Sequence, residues 1–217
     1  MPRDSPPIYR VIFQAFYSSN LFKRVLTMPT PSLAMLDQTE LLQLALQSGE
    51  RNDAASALAY LKEAVARPDA TATAHLLLGA EYAELGLYQR AMEQMEWALQ
   101  VDPALGIARF QAGFLALSGG NAEKALALLQ PLTEQEDALG LFAKGLIALM
   151  QDQFALAQEC LRVGLAANQA NLPLNQNIQR ILDAIAALPE QAKQASGQDD
   201  NQLQHIMLSA YTGGTLH

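Results

Sequence analysis

The sequence predicts an all-α protein, an α-solenoid of stacked helix pairs closed by a C-terminal capping helix, and three observations lead there. First, a pattern recurs: Ala45, Gly79 and Gly113 stand 34 residues apart, and Ala57, Ala91 and Ala125 share that spacing. Second, each period holds two short runs with apolar residues at helical spacing, separated by a few turn-forming residues. Third, the runs stop at Arg67-Pro68, Asp102-Pro103, Pro131 and Pro173. Proline removes a backbone donor and biases its predecessor away from helical dihedrals.

The elements follow in order. Residues 1–37 form an N-terminal extension, partly apolar across 8–17, and Met28 is a plausible natural start within it. The first repeat, 38–71, holds helices at 41–48 and 54–66 around a turn at 49–53. In the second, 72–105, Leu76, Leu78, Gly79 and Tyr82 share a helix ending near Leu85-Gly86. Its partner carries Ala91, Met95, Ala98 and Leu99. The third, 106–137, predicts helices at 107–117 and 122–129. The fourth, 138–173, predicts helices at 139–150 and 154–167. Gly145 and Ala157 continue the series but follow Gly113 and Ala125 by 32 residues, so the loop 131–137 absorbs the shortfall. Ile178, Ile181, Leu182, Ile185 and Leu188 then make one apolar stripe, predicting a capping helix within 174–188. Residues 189–217 read as a polar linker and a short tail, with one or two helical turns at 204–210.

Glycine inside a helix costs roughly 1 kcal/mol against alanine. The chain tolerates this at recurring positions because paired helices cross closely only where side chains are small. Ala45, Gly79, Gly113 and Gly145 are therefore expected to make room for the second helices carrying Ala57, Ala91, Ala125 and Ala157.

Leu78-Gly79, Tyr82, Ala91, Met95, Ala98 and Pro103 together resemble the tetratricopeptide repeat family, with His75 where that family often has an aromatic residue. The other units match more loosely, and the resemblance covers residues 38–170. It implies a groove lined by the first helices: Leu42 and Leu46, then Leu76, Ala80 and Ala83, then Phe110, Phe114 and Leu117, then Phe142, Leu146 and Leu149. The expected peptide-binding anchors are Leu76, Phe110, Phe114, Leu117, Phe142, Leu146 and Leu149. Some family members hold a partner's terminal carboxylate with basic residues and asparagine at such positions. Here those positions are apolar, so an amphipathic helix or apolar segment of a protein partner is expected instead. These side chains can also be read as plain core, with the array curled tightly or the groove filled by the chain's own segments. The resemblance implies a noncatalytic adaptor, assembly factor or chaperone. Its rival is a self-associating structural protein whose N-terminal segment docks on another copy's repeats.

Composition points the same way. Half the residues are hydrophobic, and 14 basic against 22 acidic residues give a formal charge of -8. No basic stripe is present to neutralise phosphates, which argues against nucleic acid. No apolar run approaches the roughly 18 residues that suggest a membrane span, and no ordered signal peptide is visible. A cytoplasmic, bacterial protein without membrane insertion is expected. Chemistry is sparse: His75, His205 and His217 are far apart, and neither a His-Glu-x-x-His motif nor paired cysteines occur. No metal, cofactor or catalytic residue is expected. Cys160 reads as a small buried hydrophobe, His75 as a hydrogen-bonded core residue, and the pairs Glu81/Glu84 and Glu93/Glu96 as solvated surface.

Overall fold

The computed structural model describes residues 33–169 and 171–188. The chain divides into Met1–Asp37 and Gln38–His217. In the first part the described secondary structure is one 3-10 turn, Leu33–Met35. The expectations about the segment 8–17, a start at Met28, and the linker and tail beyond 188 lie outside the described residues.

The second part is all-helical among its described residues: α1 (Gln38–Glu50), α2 (Ala54–Val65), α3 (Ala72–Glu84), α4 (Tyr88–Val101), α5 (Gly106–Ser118), α6 (Ala122–Leu129), α7 (Ala138–Met150), α8 (Phe154–Ala167) and α9 (Leu172–Ala187). A 3-10 turn, Gln130–Glu134, follows α6. The first helices of successive pairs start at 38, 72, 106 and 138, and α9 starts at 172, giving steps of 34, 34, 32 and 34. In this register α9 stands where a first helix begins. It begins earlier than its apolar stripe suggests, because Pro173 sits in the first turn, where a missing N–H costs nothing.

Side-chain caps set several helix starts. Asp53, Thr71, Asn121, Asp137 and Asn171 each accept a hydrogen bond from the amide three residues on. The joint inside each pair is the same Schellman turn four times over. Asp53 N donates to Ser48 O, Leu87 N to Tyr82 O, Asn121 N to Ala116 O and Gln153 N to Ala148 O, all at 2.8 to 2.9 Å. The residue before each donor, Asn52, Gly86, Gly120 or Asp152, has a positive φ between 55° and 77°. Those four residues step by 34, 34 and 32, so the motif period is a period of joints.

Across each joint the helices nest at the small residues. A Cβ built on Gly79 would lie 2.9 Å from Met95 Cε and 3.2 Å from Ala91 O. At Gly113 it would meet Leu129 Cγ at 2.7 Å, and at Gly145 it would meet Leu161 Cδ2 at 2.7 Å and Ala157 O at 3.3 Å. Each glycine thus receives the large side chain sixteen residues on, and Ala45 has its counterpart in the buried Leu61. Ala57, Ala91, Ala125 and Ala157 are all fully buried, and Tyr82 is buried with Arg90 5.9 Å above its ring centroid. In α9 the same register position is Gln179, which donates to Asp183 Oδ1 at 2.8 Å on an exposed face. Ile178, Ile181 and Ile185 on the other face are fully buried in the last pair's core.

The missing two residues are removed between α6 and α7. There α6 has 8 residues against 12 to 14 in the other second helices, and the 3-10 turn replaces its last turn. The backbone at Gln135 returns so close to Gly140 that no Cβ fits between them.

Candidate interaction site

The groove expected from the sequence is best followed through one register position: Leu46, Ala80, Phe114 and Leu146, at steps of 34, 34 and 32. Leu46 is 54% exposed, Ala80 is half-buried, Phe114 is 2% exposed and Leu146 is fully buried. The apolar face therefore opens at the first repeat and closes toward the last. This reverses the expectation that its C-terminal half offers the anchors.

The expected anchors Phe110, Phe114, Leu117, Phe142, Leu146 and Leu149 are core residues, each at most 2% exposed, and Leu76 is buried as well. Size explains the correction. Phe110 reaches both Phe114, with ring centroids 6.3 Å apart and nearly parallel, and Phe142, at 6.1 Å and tilted. Phe142 also turns into its own helix pair, where a Cβ on Gly164 would stand 2.6 Å from its Cε1. Leu146 and Leu149 belong to the same cluster as Ile178, Ile181 and Ile185 of α9.

What stays open is smaller. On α1, Leu46 is exposed and Leu42 half-buried, with Ala80 of α3 half-buried at the matching position. Leu42 rests against the cluster of Ala45, Leu61, Leu78 and Tyr82, which gives the face a rigid floor. A second apolar feature, which the sequence reading did not single out, is Trp97 with Val101 one turn later on α4, 52% and 51% exposed. Trp97 stacks on His75 at 6.1 Å with 22° between the rings, and His75 Nδ1 is hydrogen-bonded to Gln94 Oε1 at 2.9 Å. His75 is thus a buried, partnered side chain in the α3–α4 seam. Position 97 matches Glu63, Pro131 and Val163 in the other repeats, so no apolar periodicity points to it.

The titratable groups do not assemble a reaction centre. Among the described residues no group of three or more His, Cys, Asp or Glu side chains is placed to hold a metal ion. Cys160 is half-buried, and burial, reinforced by Glu159, raises its thiol pKa above the ordinary value, which disfavours the nucleophilic thiolate. Glu81 departs from the solvated role expected of it. It is half-buried on α3, with Oε1 3.6 Å from where a Cβ on Gly49 would stand, and burial, then the Glu84 charge, pushes its pKa up. No helix among the described residues is long and apolar enough to cross a membrane.

With this geometry in hand, comparison with known proteins adds the fold. No family model matches the sequence, and no curated protein matches it. Among solved structures the chain resembles MamA 41-end from Desulfovibrio magneticus RS-1, at 18% identity and a TM-score of 0.52, over 82% of this chain and 97% of that one. It also resembles the MamA RS-1 ArsTM double mutant, at 16% identity and a TM-score of 0.50, over 83% and 97% respectively. The fold is a stack of tetratricopeptide-like helix pairs. At these identities the likeness is one of architecture, and the site's function has to be argued from its own residues.

Proposed function

We propose that this chain is a noncatalytic protein-binding scaffold that receives an amphipathic helix or apolar segment of a partner on the face carrying Leu42, Leu46 and Ala80. The observation that supports this reading is the exposure of Leu46, at a register position whose counterparts Phe114 and Leu146 are buried. A large aliphatic side chain left in water offers apolar surface that a partner's apolar side chains can cover. Phe110, Phe114, Leu117, Phe142, Leu146 and Leu149 serve in this reading as the stiff support of the face, with Leu76 as its buried edge. Holding the receiving helices rigid lowers the ordering cost of binding.

The test places a photocrosslinking residue at position 46 of the full chain in its source cells. The expected result is one defined protein, whose purified form binds saturably and loses about tenfold or more in affinity with Leu46→Asp, equivalent to roughly 1.4 kcal/mol. Trp97→Ala, away from this face, should leave that affinity unchanged. Equal losses in both variants, or no saturable partner, would sink the proposal. The rival reading, self-association through the N-terminal extension, predicts an oligomer that dissociates in a chain starting at Met28.

A further inference from the structure

Trp97 is the one tryptophan of the chain, and α4 leaves it 52% exposed, with Val101, 51% exposed, one turn later. We propose that Glu93, Trp97 and Val101 form a second docking surface, apart from the Leu46 face. Its occupant is a partner segment carrying an arginine or lysine one helical turn from an aliphatic side chain.

Three observations set the chemistry of that occupant. The ring is held in advance: Trp97 stacks on His75 at 6.1 Å, and His75, itself only 9% exposed, is hydrogen-bonded to Gln94 Oε1 at 2.9 Å. An indole fixed in this way loses little freedom when a ligand meets it. The stripe is linear. Glu93, Trp97 and Val101 are all exposed and stand four residues apart, which lines a carboxylate, an aromatic ring and an aliphatic side chain along about 12 Å of one helix. The charge is unbalanced. Among the described residues no cation forms an ion pair with Glu93, for Lys124 is taken by Glu96 at 2.6 Å and Arg90 lies over the Tyr82 ring at 5.9 Å. Asp102, next after Val101, adds a second negative charge in a chain of formal charge -8. An arginine or lysine answers both features, because its alkyl stem and charge can lie over the indole while the charge pairs with Glu93. An aliphatic neighbour one turn along then covers Val101. An acidic segment would be repelled here, and a purely apolar one would desolvate Glu93 without giving it a partner.

The experiment selects binders to the purified full chain from a displayed library of random peptides about three helical turns long, with Trp97→Ala as the counter-selection. The expected consensus places arginine or lysine three or four residues from leucine, isoleucine or valine. A synthetic peptide of that consensus should change the Trp97 fluorescence saturably. Measured by calorimetry, its affinity should fall about tenfold with Trp97→Ala and about threefold with Glu93→Gln, both variants keeping the parent's circular dichroism. It should also weaken as salt rises. Leu46→Asp should leave this affinity unchanged, so the two surfaces stand or fail separately. An acidic consensus, one without a basic residue, or no enrichment over the counter-selection would overturn the proposal. So would binding that survives Trp97→Ala, or an affinity indifferent to both Glu93→Gln and salt. A dimer of the parent that Trp97→Ala abolishes would also overturn it, because a second copy would then occupy the face.

Discussion

Gly113 shows what one hydrogen decides in this chain. An added methyl at that position would meet Leu129 Cγ, a branch point with little freedom to swing aside. Gly113→Ala is accordingly expected to destabilise the fold by about 1–3 kcal/mol, despite alanine's better helix propensity. At Gly79 the nearest atom is Met95 Cε, the end of a flexible chain. Gly79→Ala should therefore cost clearly less than Gly113→Ala, and urea unfolding of both variants checks the order. Gly86, Gly120, Asn52 and Asp152 test the joint in the other direction. Asp152 has φ 55° without being glycine, so Asp152→Gly should gain up to about 1 kcal/mol. Glu81 supplies a pH signature. Its folded-state pKa is raised above 4.5, so the ionised form opposes folding, fully above the raised value and not at all below about pH 4.5. Glu81→Gln should be more stable than the parent at pH 7, with the advantage fading as pH falls toward 4.5 in thermal melts.

At the scale of elements, helix ends carry the order that helix faces only use. Asp53 caps α2 through its bond to Ser56 N, and hydrogen bonds to Ser56 lower its carboxyl pKa. The cap's contribution is therefore present above the ordinary aspartate value and is lost as pH falls through the lowered one. Asp53→Ala should lower the melting midpoint at pH 7, and the difference should shrink in strong acid. The α5, α7 and α9 helices behave as one block because Phe110, Phe142 and the isoleucines of α9 share a cluster. Phe142→Ala should cost about 3–5 kcal/mol and loosen α9 together with α7, which hydrogen exchange resolves helix by helix. The early start of α9 was hidden in the sequence by Pro173, which ends helices in the middle of a run but is harmless in a first turn. The turn–helix rhythm was legible because Gly86, Gly120, Asn52 and Asp152 are residue types that accept the left-handed conformation.

For the whole molecule, repetition makes each residue its own control in another repeat. Leu46 and Leu146 occupy one register position, yet Leu46→Asp should leave the unfolding free energy from urea titration within about 0.5 kcal/mol of the parent. Leu146→Asp should unfold the C-terminal pairs, because it buries a charge without a partner. Equal effects of the two substitutions would mean that the face at α1 is not open, and the proposed interaction site would go with it.

The sequence by itself determined the helix pairs, their 34-residue period and the 32-residue step, because propensity, capping and turn chemistry act over a few residues and are written locally. It also placed the small residues at the crossings, since a repeated glycine inside a helix has few other physical reasons to persist. Only the tertiary structure decided which members of a register are surface and which are core. Burial depends on the size of side chains contributed by other helices: Phe110 and Phe142 pack against each other between the later pairs, whereas Leu46, at the register position of the buried Phe114 and Leu146, stays exposed.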